Sequence, residues 1–313
     1  MQTEHVVVAG GAGFLGSHLC DRLISDGYRV SCLDNFATGS QDNLIDLLTA
    51  DGFTLIQCDV SKGLPALESV DYVLNLASPA SPIDYLRLPL ETLRVGSAGT
   101  ENLLQLAQSQ GARFVMASTS EIYGDPEIHP QPEHYWGRVN PIGPRSVYDE
   151  AKRFSEATVA AYWRQYDLDA AIIRIFNTYG PRMRPGDGRA IPTFIRQCLL
   201  GEPITIAGDG TQTRSVCYVD DLIEGIVRVM SSQERGPLNI GNPHEVTMLE
   251  LASYIKQVAG SDSPMIFIDR PEDDPHVRRP DIQQVHSKLG WTPQISFEDG
   301  IARTIEWFRN RLA

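Results

Sequence analysis

Three groups of residues in this 313-residue chain have the types and spacing to do chemistry. The first is Ser118, Thr119, Ser120 and Glu121, where the apolar run "VMA" gives way to "STSE". Hydroxyls and a carboxylate at the end of a strand-like run suit a site built where a rigid element hands over to a loop. Strand-end capping is the bland use of the same residues. The second group is Tyr148 and Lys152 of "SVYDEAKRF", four apart and therefore on one helix face. A phenol with a pKa near ~10 is a poor base, and a neighbouring ammonium favours the phenolate. Alone, that spacing fits a solvated helix face equally well.

The third group is "VVVAGGAGFLG", in which Gly10, Gly13 and Gly16 follow a strand-like run and open a helical one. Glycines there let the backbone approach a pyrophosphate, which rests on the positive end of the helix. Asp34 ends the next strand-like run at the distance expected of a ribose-binding carboxylate. A carboxylate there repels a 2′-phosphate, so the pattern favours NAD over NADP. Asp59, past the third run, is the adenine contact or an ordinary strand-end cap.

The elements that must position these groups are legible as a rhythm. Strands are expected at His5–Ala9, Arg29–Leu33, Thr54–Gln57, Tyr72–Leu76, Arg113–Ala117 and Ala170–Ile175, with amphipathic helical stretches between them. Apolar strands alternating with helices predict a parallel sheet covered on both faces, an α/β fold of the Rossmann, doubly wound type. After Thr178 the Gly-, Pro- and Arg-rich "YGPRMRPGDGRA" marks a boundary. Residues 1–178 are read as the dinucleotide-binding domain and 179–313 as a smaller mixed α/β substrate lobe, with one or two elements free to return to the large sheet. In that lobe, Thr247 and Glu250 form an expected capping box. The cleft between the lobes is the default ligand site.

Totals narrow the class. A formal charge of −13 argues against a nucleic-acid surface, which needs a basic face. Five scattered cysteines without ligand spacing predict reduced thiols and no metal site. No apolar run approaches the roughly 20 residues that span a bilayer, and the start lacks a signal-peptide pattern. The expectation is a soluble cytoplasmic protein.

Together, Gly10, Gly13, Gly16, Asp34, Thr119, Tyr148, Lys152 and Asn177 resemble the extended short-chain dehydrogenase/reductase family of nucleotide-sugar epimerases, dehydratases and decarboxylases. Within it, "NLASPASP", "ASTSEIYGDPEIHPQPEHYWGRVNPIGPRSVYDEAKR", "RIFNTYGPRM" and "DDPHVRRPD" are similar to the UDP-glucuronate decarboxylases, which make UDP-xylose. The resemblance implies NAD held by Gly10, Gly13, Phe14, Leu15, Gly16, Asp34, Asn35, Asp59, Ala77, Tyr148 and Lys152, and regenerated in each cycle. It implies catalysis by Thr119, Ser120, Glu121, Tyr148, Lys152 and Arg278. A UDP-sugar would be bound by Tyr85, Glu121, Asn177, Arg189, Arg214 and Arg278, of which Arg278 faces the uronate. It also implies a homodimer paired through the "GTENLLQLAQSQ" and Tyr148 helices.

Ser120 and Glu121 separate the family's reactions. A 4,6-dehydratase must expel a hydroxyl and needs an acid where this chain has Ser120; a 4-epimerase needs no carboxylate there. Decarboxylation fits, with Ser120 holding the substrate carboxylate. Glu121 then either favours loss of carbon dioxide or handles the proton at carbon 5. A 4-epimerase or 4,6-dehydratase on another nucleotide sugar is the alternative. A non-catalytic dinucleotide sensor, the remaining class, would have no use for both Tyr148 and Lys152.

Overall fold

The computed structural model describes residues 3–270 and 273–312. Its centre is a seven-stranded, all-parallel sheet. Six strands come in order from the first part of the chain: β1 (His5–Ala9), β2 (Arg29–Asp34), β3 (Phe53–Gln57), β4 (Tyr72–Asn75), β5 (Arg113–Thr119) and β6 (Ala170–Ile175). Short pieces follow as β7 (Thr178–Tyr179), β8 (Ile204–Ala207), β9 (Thr213–Ser215) and β10 (Cys217–Tyr218). The chain then returns as β11 (Leu238–Ile240), and β12 (Glu245–Thr247) and β13 (Met265–Ile268) complete the strands. In space the sheet reads β11-β6-β5-β4-β1-β2-β3, so the order reverses between β1 and β4. In such sheets that reversal opens a crevice at the carboxyl ends of the strands.

Why these segments are strands shows along β1. All five residues are buried, yet Val6 and Val8 join one apolar core while Val7 and Ala9 join the other. The period of two thus serves two faces, and an unbroken apolar run is the expected result. On one face lie α1 (Phe14–Ser25) and, further on, α7 (Val219–Met230), and the same apolar core continues beyond the sheet through α6 (Ala190–Leu200), α8 (Met248–Ala259) and α10 (Phe297–Leu312). Before these, α2 (Pro82–Arg87) and α3 (Pro89–Arg94) lead through a π-helical turn at Val95–Gly99 into α4 (Thr100–Gln110). With α5 (Ser146–Tyr166), α4 covers the other face. The small α9 (Gln283–Leu289) packs by β11.

Two sequence expectations are refined. β5 runs two residues beyond Ala117, to Thr119, so the polar cluster starts on the strand itself. A segment from the second part of the chain does return to the large sheet: β11 pairs with β6 in register Leu238 with Ile173. Thr247 and Glu250 form the expected capping box at the start of α8.

Candidate functional site

A cavity of about 760 Å³ opens at the carboxyl ends of the central strands. Of the residues singled out by sequence, Gly10, Gly13, Phe14, Leu15, Gly16, Asp34, Asn35, Asp59, Ala77, Tyr85, Thr119, Ser120, Glu121, Tyr148, Lys152, Asn177, Arg189 and Arg214 line it. Arg278 does not.

At one end, Gly10 adopts φ +79°, a conformation that side chains resist. A Cβ on Gly16 would lie 2.1 Å from the Gly10 carbonyl oxygen, so this glycine lets the first turn of α1 press against the loop. Gly13 begins that helix with no side-chain cap and no acidic residue in the first turn. Its free N–H groups therefore present positive potential to the cavity. Asp34 closes the same end, accepting hydrogen bonds from the Ala12 and Phe36 amides at 2.9 and 2.8 Å. Burial raises its pKa and those amides oppose the rise. Backbone cradle, uncapped helix start and carboxylate fit a dinucleotide with a free 2′-hydroxyl. Gly16→Ala is expected to destabilise the fold by about 1–3 kcal/mol through overpacking and to lower dinucleotide retention, both read by denaturant titration and absorbance.

At the other end, Thr119 caps the 3₁₀ turn Ser120–Tyr123, its hydroxyl accepting from the Glu121 amide at 3.2 Å. The hydroxyl cluster thus does cap the strand while it faces the cavity. From α5, Tyr148 and Lys152 reach the same spot, each only 7% exposed. Tyr85 stacks on Tyr148 with ring centroids 5.3 Å apart. The Lys152 ammonium lies 5.9 Å from the Tyr148 ring centre and donates to the Ala117 carbonyl at 2.8 Å.

Burial dominates the titration of both groups. It drives the Tyr148 phenol well above its ordinary value, opposed by a hydrogen bond with Thr119 and the charge of Arg189. Lys152 is pushed down to about 8 by burial, with Glu156 opposing. The sequence expectation that an ammonium brings the phenol down is therefore outweighed here by desolvation. A lysine so shifted is charged below that value and neutral above it. Turnover is expected to fall on the alkaline side with a midpoint near pH 8. Lys152→Arg, whose guanidinium does not titrate there, is expected to abolish that limb in a pH–rate profile.

Glu121 is gripped by two arginines, Arg145 and Arg278. Burial alone would raise its pKa, but Arg278 and Arg145 hold it well below the carboxylate range. It is therefore a fixed anion rather than a proton donor. Arg278, expected to face the uronate, sits behind Glu121: it is 2% exposed and donates to Ser120 Oγ at 3.2 Å and the Gly124 carbonyl at 3.1 Å. Arg214 binds Asp274 at 2.9 Å, and Arg189 binds Asp187 at 2.8 Å through Nε. These two of the cavity's arginines are thus already paired. Sequence reading missed Arg145, Asp187 and Asp274, all on the wall, and Asp149, a buried carboxyl pushed up to about 7 by burial and by Glu121. For Arg145 a signal existed, one helical turn before Tyr148. Asp274 meets Arg145 and Arg214, its partners on the cavity wall, across long stretches of sequence, and gave none.

A family profile described as the NAD dependent epimerase/dehydratase family matches residues 6–241. UDP-glucuronic acid decarboxylase 1 of Xenopus tropicalis is 47% identical over 309 residues, covering 99% of this chain and 73% of that protein. UDP-glucuronic acid decarboxylase 1 of Arabidopsis thaliana is 49% identical over 307 residues, covering 98% and 70%. Among solved structures, a UDP-glucose 4-epimerase from Thermotoga maritima with UDP-glucose superposes with a TM-score of 0.91 at 30% identity, covering 99% of this chain and all of that one. A UDP-glucuronic acid 4-epimerase from Bacillus cereus, with UDP-glucuronic acid and NAD, gives 0.87 at 28% identity and the same coverage.

Proposed function

We infer the reaction from the premise that this chain belongs to the NAD dependent epimerase/dehydratase family. It decarboxylates UDP-glucuronate to UDP-xylose through a 4-keto sugar. The observation that carries this beyond family membership is Glu121, an anion fixed by two arginines beside Ser120. A 4,6-dehydratase must protonate a departing hydroxyl. Ser120 is far too weak an acid for that, and Glu121 carries no proton to give. Asp149 holds a proton near neutrality but lies off the cavity wall. Loss of carbon dioxide needs no such acid.

NAD, when bound, supplies the hydride acceptor for carbon 4 and returns the hydride at the end of the cycle. The residues proposed to hold it are Gly10, Gly13, Phe14, Leu15, Gly16, Asp34, Asn35, Asp59, Ala77 and Lys152. Tyr148 receives the proton of the 4-hydroxyl, and Thr119 shares the hydrogen bond to that oxygen. The resulting ketone lies β to the carboxylate, so the carbon–carbon bond breaks with its electrons passing into an enolate. A proton then adds at carbon 5. Ser120 and Glu121 border that carbon, Arg278 fixes both from behind, and Lys152 steadies the Tyr148 side. Tyr85 and Asn177 flank the sugar, and Arg189 and Arg214 exchange their carboxylate partners for the diphosphate. Residues 179–313 act as the sugar-nucleotide lobe, with β11 as the part that joins the large sheet.

The test is UDP-glucuronate deuterated at carbon 4. Carbon dioxide release with the deuterium retained in the pentose is expected; deuterium lost to solvent would overturn the cycle.

Two coarser features belong to the same proposal. Leu90 and Leu93 of α3 and Phe154 of α5 are exposed apolar side chains on helices that pack together, which supports a homodimer built on α3, α4 and α5. All five cysteines are free thiols, which supports a reducing, cytoplasmic setting. Among the described residues no helix is long and apolar enough to cross a membrane.

A further inference from the structure

Apart from Arg189, residues 180–189 take no part in the chemistry, yet they bridge the dinucleotide end of the cavity. α1 follows β1 and α2 follows β4, the neighbours between which the strand order reverses, so these helices are the two banks of the crevice. The segment is tied to both. On the α1 bank, His18 donates to the Pro181 carbonyl at 3.0 Å, and Arg182 pairs with Asp21 at 2.6 Å. The Arg189 guanidinium lies 5.9 Å from the Phe14 ring centre. Arg182 takes φ +68°, a conformation that side chains resist, and Met183 beside it is buried in the core. This half of the strap is anchored.

The other half meets the α2 bank more lightly. Arg184, its side chain 42% exposed, pairs with Asp84. Gly188 lies against Ile83, where a Cβ would come within 2.6 Å of the isoleucine side chain. Between these contacts Gly186 is exposed, with open space where a Cβ would stand. Asp84, by contrast, is 3% exposed and accepts from the Ser81 hydroxyl at 2.7 Å and from Arg87 at 3.3 Å. The carboxylate is thus fixed on its bank, and the long side chain reaching it from the strap is the part that can let go. Both partners line the same cavity as Gly10, Gly13 and Gly16, so the strap spans the space a pyrophosphate would fill.

We propose that Asp84 and Arg184 latch this strap across the crevice, so that NAD leaves only after their ion pair opens. The reaction cycle gives such a latch a use, because NAD is restored in every turn and need not leave, whereas the sugar nucleotide exchanges each time. The proposal rests on the dinucleotide reading of the cavity and not on the identity of the sugar.

The experiment follows NAD escaping from loaded protein. Alcohol dehydrogenase and ethanol trap each released molecule, and NADH absorbance reports the rate. Release from the unsubstituted protein is expected to be slow and to quicken with added sodium chloride, which screens a half-exposed pair. Arg184→Met is expected to release NAD about fivefold faster or more and to lose the salt dependence. Arg87 and Ser81 still hold Asp84 in that variant, so the fold is kept. Asp84→Asn is expected to act likewise, and the double variant to release no faster than either single one. Arg184→Lys keeps the charge without the fork and is expected to fall between. UDP affinity, by calorimetry on the loaded proteins, is expected to stay within about twofold throughout.

Release from Arg184→Met within about twofold of the unsubstituted rate overturns the latch, as do additive effects in the double variant. Weakening of UDP to match the faster NAD release means general loosening and overturns it too. Protein that takes up no NAD would overturn the dinucleotide reading itself, whereas NAD held with no regard to Asp84 and Arg184 overturns only the latch.

Discussion

Tyr148→Phe is expected to lower turnover by about 10²–10⁴-fold, the range of a single acid–base group, while NAD and UDP-glucuronate still bind. The ring stays, so its stack on Tyr85 and its packing at 7% exposure are kept. What goes is the one oxygen placed between Thr119 and the sugar. Burial holds the phenol above its ordinary value, so it keeps its proton in the empty site and takes part only when the filled site shifts that balance. Single-turnover absorbance of the nicotinamide after mixing with UDP-glucuronate reads the oxidation directly. A loss of less than about tenfold would remove Tyr148 from the role of base.

Glu121→Gln is the second large expectation: turnover falls by about 10²–10³-fold, and nucleotide affinity changes little. The amide keeps the shape and removes the anion beside carbon 5. It also leaves Arg278, 2% exposed, without its carboxylate. A stability loss of about 1–3 kcal/mol is expected, since Ser120 and Gly124 still accept from that arginine. The pH dependence has a definite sign. The folded-state pKa of Glu121 lies below its unfolded value, so its contribution is complete above the carboxylate range and fades as pH falls through the lowered value. Wild type and variant should therefore differ by a constant amount from neutrality down to about pH 5 and converge below it. Urea unfolding across that range measures the difference. If turnover stayed near wild type, the carboxylate would have no part in the chemistry.

The dinucleotide end was readable because its demands are local. Gly10, Gly13 and Gly16 are set by backbone clearances within one turn, and Asp34 by the end of its own strand. Tyr148 and Lys152 were readable for the same reason, being four apart on one helix. The charged end was not. Arg214 meets Asp274 from another part of the lobe, and Arg278 reaches back to Glu121 across half the chain. Nothing in spacing encodes which carboxylate an arginine will choose once the chain has folded. The sequence therefore supplied the right residue types around the cavity, while the order of Arg145 in front and Arg278 behind came from packing. The electrostatics were also out of reach. The rule that a lysine beside a tyrosine favours phenolate is correct for two solvated groups, and burial of both reversed its net effect.

The late arrival of β11 has a consequence for synthesis. On the ribosome, β6 is finished long before Leu238–Ile240 emerges, and until then its outer row of amides and carbonyls has no mate. A nascent chain in that condition is a template for another strand. Fragments stopped short of Leu238 should therefore precipitate, while chains carried past Ile240 stay dispersed.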